Sequence, residues 1–128
     1  MSYIAVMGAG SWGTTLACLL VEKGDDVSLW AFEKEIVDEI NQEGRNSIYL
    51  PGSDLPAGLK ATNDYEEAVR RSRYILNVVP TQFTRSVFSE YIKYLHEDAV
   101  IVSASKGIEQ GTLLTVSSIL YELSLIHI

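Results

Sequence analysis

The opening stretch limits the fold more than any other part of the chain. A short apolar run, Tyr3 to Met7, breaks into Gly8-Ala9-Gly10-Ser11-Trp12-Gly13 and then into Thr14-Thr15-Leu16-Ala17-Cys18-Leu19-Leu20. Strand, glycine turn and helix in this order open a dinucleotide-binding βαβ unit. Each glycine has its own physical job. Gly8 permits the tight turn out of the strand, Gly10 lets the backbone approach a pyrophosphate, and Gly13 lets the helix pack closely on the sheet. The first-turn N–H groups of the helix would then face the phosphates, aided by the positive end of the helix dipole. A bare glycine pattern is weak evidence. Here the flanking strand and helix supply the context that it needs.

The remaining segments continue the alternation. Gly24 is a plausible C-cap for the first helix, whose residues Leu16, Leu19, Leu20 and Lys23 share a face or its edge. Val27 to Trp30 reads as a second strand, and Lys34 to Gln42 as a helix with Ile36, Val37 and Ile40 inward. Gly44 to Asp64 is irregular and contains Pro51, Pro56, Gly52 and Gly58. A loop this long is usually functional or hides a short strand, here Leu59 to Thr62. Asn63 or Asp64 caps a short helix through Arg71, with Glu66 and Glu67 in the turn that the dipole favours.

Tyr74 to Val79 is a nearly continuous apolar run, as expected of a parallel strand covered on both faces, and Pro80 stops it. Phe83, Val87, Phe88, Tyr91, Ile92 and Leu95 recur at helical spacing, Ala99 to Ser103 is another strand, and Thr112 starts a last helix with Leu113, Val116, Ile119 and Leu120. The expected fold is α/β: a Rossmann-like, doubly wound, mostly parallel sheet.

Composition narrows the function classes. The formal net charge of −7 argues against nucleic acid or an anionic membrane surface as partner. No apolar stretch has the length of a membrane span, and no leader precedes the first strand. The single cysteine, Cys18, excludes an internal disulfide and suits a reducing cytoplasm; it reads as a small core thiol. His96, in a polar turn, reads as a surface histidine, and no metal site is expected.

With these segments in place, the chain resembles the N-terminal domain of the bacterial-type NAD(P)-dependent glycerol-3-phosphate dehydrogenase family. The resemblance rests on four matches: Gly8 to Thr14 with Leu16-Ala17; Leu29-Trp30; the loop Asn46 to Gly52 with Leu55-Pro56 and Ala61-Thr62; and Val78 to Gln82 with Arg85, Ser105 to Glu109 and Thr112. It implies hydride transfer between a nicotinamide and C2 of glycerol 3-phosphate, interconverting it with dihydroxyacetone phosphate for glycerophospholipid synthesis. It also implies that Ser11 and Trp12 lie at the cofactor phosphates and that Lys106 contacts both cofactor and substrate; Gly8, Gly10, Gly13, Phe32, Glu33 and Pro80 complete the expected cofactor-binding residues. A lysine just past the carboxyl end of a parallel strand suits a phosphate or a developing alkoxide. Asn46, Tyr49 and Pro51 either shape the cleft or belong to a structural loop, and Pro80 is also a simple strand terminator.

Two features depart from the family pattern. Family members that prefer NADP commonly carry Arg, or His and Arg, after the Leu-Trp pair. Ala31-Phe32-Glu33 stands there instead. An acid about 20 residues past the last glycine binds ribose and repels a 2′-phosphate, so NAD is the expected cofactor and NADP the alternative. The family also has a following helical domain with the general acid/base lysine; no catalytic residue is expected before it, and the resemblance allows a homodimer of the full-length enzyme. Residues 1–122 are expected to be the NAD-binding domain, incomplete at its end, and 123–128 a non-native tail resembling translated adapter sequence. A further strand is expected after the last helix, and its loss should expose a sheet edge. Such a chain should bind dinucleotide weakly without turning over glycerol 3-phosphate. Ketopantoate reductase, a 6-phosphogluconate-type enzyme and a non-catalytic dinucleotide-binding module are the alternatives.

Overall fold

A computed structural model describes residues 3–104. They form a five-stranded, all-parallel sheet with helices on both faces. The elements, in chain order, are β1 (Tyr3–Met7), α1 (Ser11–Lys23), β2 (Asp26–Trp30), α2 (Lys34–Glu43), β3 (Lys60–Thr62), α3 (Tyr65–Val69), β4 (Tyr74–Asn77), α4 (Thr81–Tyr91), a 3-10 turn (Ile92–Tyr94) and β5 (Val100–Ser103). The strand order is β3-β2-β1-β4-β5. The chain winds outward from β1 through β2 to β3, then returns to the other side of β1 with β4. The carboxyl end of β1 therefore lies at the topological switch point, where open α/β sheets bind ligands.

Side-chain alternation along β1 divides the core. Ile4 and Val6 face α1 and α2 beside Val27, Leu29, Ile36 and Ile40, whereas Ala5 and Met7 face α3 and α4 beside Trp30, Ile75, Phe88 and Tyr91. Each strand buried on both sides has to be apolar at successive positions, which is why Tyr74 to Val79 reads as a continuous run. β4 nevertheless ends at Asn77, two residues before that run does. β1 stops at Met7, whose carbonyl accepts the Val78 amide at 2.9 Å, and the register between β1 and β4 ends with the Met7–Asn77 pair.

The face of α1 differs from the periodic reading. Gly13, Thr14 and Ala17 are buried, Cys18, Leu20 and Val21 pack at the margin, and Leu19 is 56% exposed. The reason is the helix's close approach to the sheet. A Cβ on Gly13 would stand 1.9 Å from the Gly8 carbonyl oxygen, so only small residues fit along that line of contact. Phe83 is likewise exposed on α4, and Thr84 takes the inward position with Val87, Phe88 and Tyr91.

α3 ends at Val69, two residues short of Arg71, and its cap is Asp64, which accepts from the Glu66 and Glu67 amides. β5 lies at the edge of the described sheet, with Val100 and Val102 exposed. Among the described residues no helix is long and apolar enough to cross a membrane. The expected Thr112 helix, a further strand, Lys106 and the tail at 123–128 lie outside the described residues.

Candidate cofactor-binding site

The glycine turn is built as the sequence requires. Gly8 has φ +124°, in the region that side chains avoid, and its amide donates to the Trp30 carbonyl at 3.0 Å. A Cβ there would meet the Val78 carbonyl at 2.9 Å, so the turn is pressed against the end of β4. Gly10 is different. It has an ordinary extended conformation, and a Cβ on it would meet nothing within 4 Å. Its missing side chain opens outward space.

Gly10 is also the N-cap of α1, and it offers no side-chain acceptor. Among the described residues no side chain caps the amides of Ser11, Trp12 and Gly13, which are open to an outside acceptor, and no acidic residue in the first turn opposes an anion. Ser11 and Trp12 are exposed, with Trp12 at 56%. This arrangement fits a pyrophosphate: a cradle of donors at a positive helix end, with a backbone that can be approached.

The next wall begins where β2 ends. Ala31 is buried and its amide donates to the Thr62 carbonyl at 3.0 Å; Phe32 then turns outward and is 75% exposed. Glu33 is the N-cap residue of α2, yet its side chain caps nothing. Its Oε2 instead accepts a hydrogen bond from the Tyr49 hydroxyl at 3.1 Å, and that bond pushes the Tyr49 phenol up.

Tyr49 comes from the long irregular segment, which is fastened at several points. Asn46 is fully buried, and its Nδ2 donates to the Ala9 carbonyl at 2.9 Å and to Thr14 Oγ1 at 3.0 Å. Leu55 donates to the Gly44 carbonyl at 2.8 Å, and Leu55 and Leu59 enter the core. Ser47 donates to both carboxylate oxygens of Glu39 and holds that carboxyl below the usual range. Asn46 therefore belongs to the turn's support, Tyr49 to the wall of the cleft, and Pro51 is exposed. The sequence named these residues without separating their roles. Contacts spanning 37 and 16 positions leave no periodic signal.

Pro80 lies three residues past β4, exposed, and begins α4, so it terminates the strand and stands at the carboxyl edge that carries the glycine turn. The chain reaches the same edge again after β5, where the Ala104 amide donates to the Asn77 carbonyl at 3.0 Å. Cys18 is half-buried, and burial, followed by Glu22, raises its thiol, as a packing role requires. The exposed His96 accepts the Asp98 amide through Nδ1 at 3.1 Å within a turn. A separate concavity of about 550 Å³ lies beside the short α3, between Lys60, Asp64, Arg70 and Arg71. No residue of the glycine turn lines it, and its charges are partly paired: Arg70 with Glu66 at 3.1 Å, Arg71 with Asp26 at 3.7 Å.

Residues 3–127 match a family described as NAD-dependent glycerol-3-phosphate dehydrogenase N-terminus. The chain belongs to this family. A glycerol-3-phosphate dehydrogenase [NAD(P)+] of Geobacter sp. strain M21 is 53% identical over 94% of this chain and 36% of its own length. Among solved structures, the glycerol-3-phosphate dehydrogenase of Coxiella burnetii matches with a TM-score of 0.87 at 36% identity, covering 94% of this chain and 37% of that one. The yeast glycerol-3-phosphate dehydrogenase matches with a TM-score of 0.84 at 29% identity, covering 95% and 39%. The chain thus spans about a third of the length of the curated glycerol-3-phosphate dehydrogenases that it matches. Membership in the glycerol-3-phosphate dehydrogenase family decides among the dehydrogenase readings that the glycine turn alone leaves open.

Proposed function

We propose that this chain is the cofactor-binding part of a glycerol-3-phosphate dehydrogenase and holds NAD across the carboxyl edge of its sheet. The observation that carries the reading is the contrast within the turn: Gly8 and Gly13 are closed in by backbone, while Gly10 faces open space above three uncapped amides. The amides of Ser11, Trp12 and Gly13 bind the pyrophosphate, and Gly10 lets it approach. Phe32 offers its exposed ring to the adenine side. Glu33 accepts from the ribose hydroxyls and repels a 2′-phosphate, which favours NAD over NADP. Pro80 borders the nicotinamide side, and Lys106 is the residue that the family resemblance assigns to contact with both cofactor and substrate.

A nicotinamide held at this edge would supply or accept the hydride at C2 as dihydroxyacetone phosphate and glycerol 3-phosphate interconvert. The general acid/base lysine belongs to the helical domain that follows in the family. The full-length enzyme works in the cytoplasm, as a homodimer, in glycerophospholipid metabolism.

Fluorescence titration of the 128-residue chain with NADH and NADPH tests the reading. NADH should bind more tightly; tighter NADPH binding overturns the cofactor assignment. The same purified chain should not oxidise glycerol 3-phosphate, and cofactor-dependent turnover would refute the division of labour.

A further inference from the structure

Glu33 occupies an N-cap position without capping. The usual residues there turn a short side-chain oxygen back to the amides of the first turn. Glu33 has the extended backbone of a cap, but its carboxylate is directed to the Tyr49 hydroxyl in the loop opposite. Only Oε2 is engaged there, and Oε1 has no hydrogen bond among the described residues.

Tyr49 is itself held. Its amide meets Asn46 Oδ1 at 3.4 Å, and the Leu50 amide donates to the Asn46 carbonyl at 2.8 Å. The other end of the Asn46 carboxamide grips Ala9 and Thr14 on the glycine turn. A continuous series of contacts thus runs from the pyrophosphate cradle through Asn46 and Tyr49 to Glu33. It fixes where the carboxylate stands relative to the cradle.

We propose that Tyr49 is a specificity-determining positioning residue, which fixes the Glu33 carboxylate through the Tyr49–Glu33 hydrogen bond so that the site accepts an unphosphorylated ribose and rejects a 2′-phosphate. The inference rests on the reading of Glu33 as the ribose ligand. A carboxylate free to rotate swings away from a 2′-phosphate and loses most of its power to discriminate. One fixed by a phenol donor keeps both its charge and its remaining acceptor in place. The phenol, pushed up by the same bond, remains a donor throughout the neutral range.

The test compares Kd for NADH and for NADPH in the unsubstituted chain, Tyr49→Phe, Glu33→Gln and the double variant, with thermal melts of each. Tyr49→Phe keeps the ring and removes the donor. It should weaken NADH about three- to tenfold, as expected for one hydrogen bond to a charged group. NADPH affinity should stay within about twofold, so the selectivity ratio falls. In the Glu33→Gln background the same change should leave the ratio unaltered. Equal losses for both cofactors, or a lower melting temperature with an unchanged ratio, would make Tyr49 a loop brace and overturn the proposal. If Glu33→Gln shifts the ratio and Tyr49→Phe does not, the proposal fails while the ribose assignment stands. If Glu33→Gln leaves the ratio unchanged, or the unsubstituted chain binds neither cofactor, the assignment itself fails and the proposal with it.

Discussion

The Asn46 side chain donates to the Ala9 carbonyl oxygen at 2.9 Å, and so ties the start of the long loop to the glycine turn. The carboxamide is fully buried and also donates to Thr14 Oγ1. Removing it strands a buried carbonyl whose desolvation is then uncompensated. Asn46→Ala should cost about 2–4 kcal/mol, read as a lower urea midpoint with an unchanged m-value. Asn46→Asp keeps the shape but replaces the donor by an acceptor facing the Ala9 carbonyl, and should cost at least as much. An aspartate variant as stable as the parent would show that the donor contributes nothing.

Gly10 and Gly13 should separate folding from binding. Gly10→Ala meets open space at an ordinary φ, so its stability should change by less than about 0.5 kcal/mol. Its methyl group would nevertheless stand on the approach to the amide cradle, and NADH affinity should fall at least about tenfold. Gly13→Ala places a carbon 1.9 Å from the Gly8 carbonyl oxygen and should destabilise the domain by several kcal/mol, seen as loss of the cooperative melt. If both variants lose stability alike, the open face of Gly10 is not a binding surface.

How much of this was legible in the sequence follows the range of each interaction. The strands, the glycine turn and α2 with Ile36, Val37 and Ile40 inward came from local periodicity, and the structure has them. The face of α1 did not, because the position of Leu19 is decided by how closely Gly13 lets the helix approach a turn made by another segment. The support of the site was least visible. Asn46 and Tyr49 stood out as loop residues, but which one braces the turn and which one meets Glu33 depends on how a segment without period folds back.

The cap on α3 is a local feature and should behave as one. Asp64 accepts from two amides of a five-residue helix, and the stacked Trp30–Tyr65 pair, with centroids 5.0 Å apart, lies beside it. Asp64→Ala should cost about 1 kcal/mol and Asp64→Asn much less. Chemical denaturation resolves the two; equal losses would mean that the charge, rather than the cap, matters.

Tyr91 should give the domain an alkaline limit. Its ring is fully buried, edge-on to Phe88 at 5.1 Å, and its hydroxyl donates to Asn77 Oδ1 at 2.9 Å. Burial pushes the phenol far above its ordinary range, whereas in the unfolded chain it ionises near pH 10, roughly the model-peptide value. Above about pH 10 the unfolded state therefore binds fewer protons than the folded one, and stability falls as pH rises. One such group removes up to about 1.4 kcal/mol per pH unit; below pH 10 its contribution is fully present. Tyr65, raised by burial, and Tyr49, raised by Glu33, add to the fall. Tyr91→Phe should be about 1–2 kcal/mol less stable at neutral pH, having lost the bond to Asn77. Its stability should also decline less steeply between pH 10 and 11, so that the two urea midpoints converge. Parallel pH profiles for parent and variant would show that the buried phenol titrates no differently in the folded state.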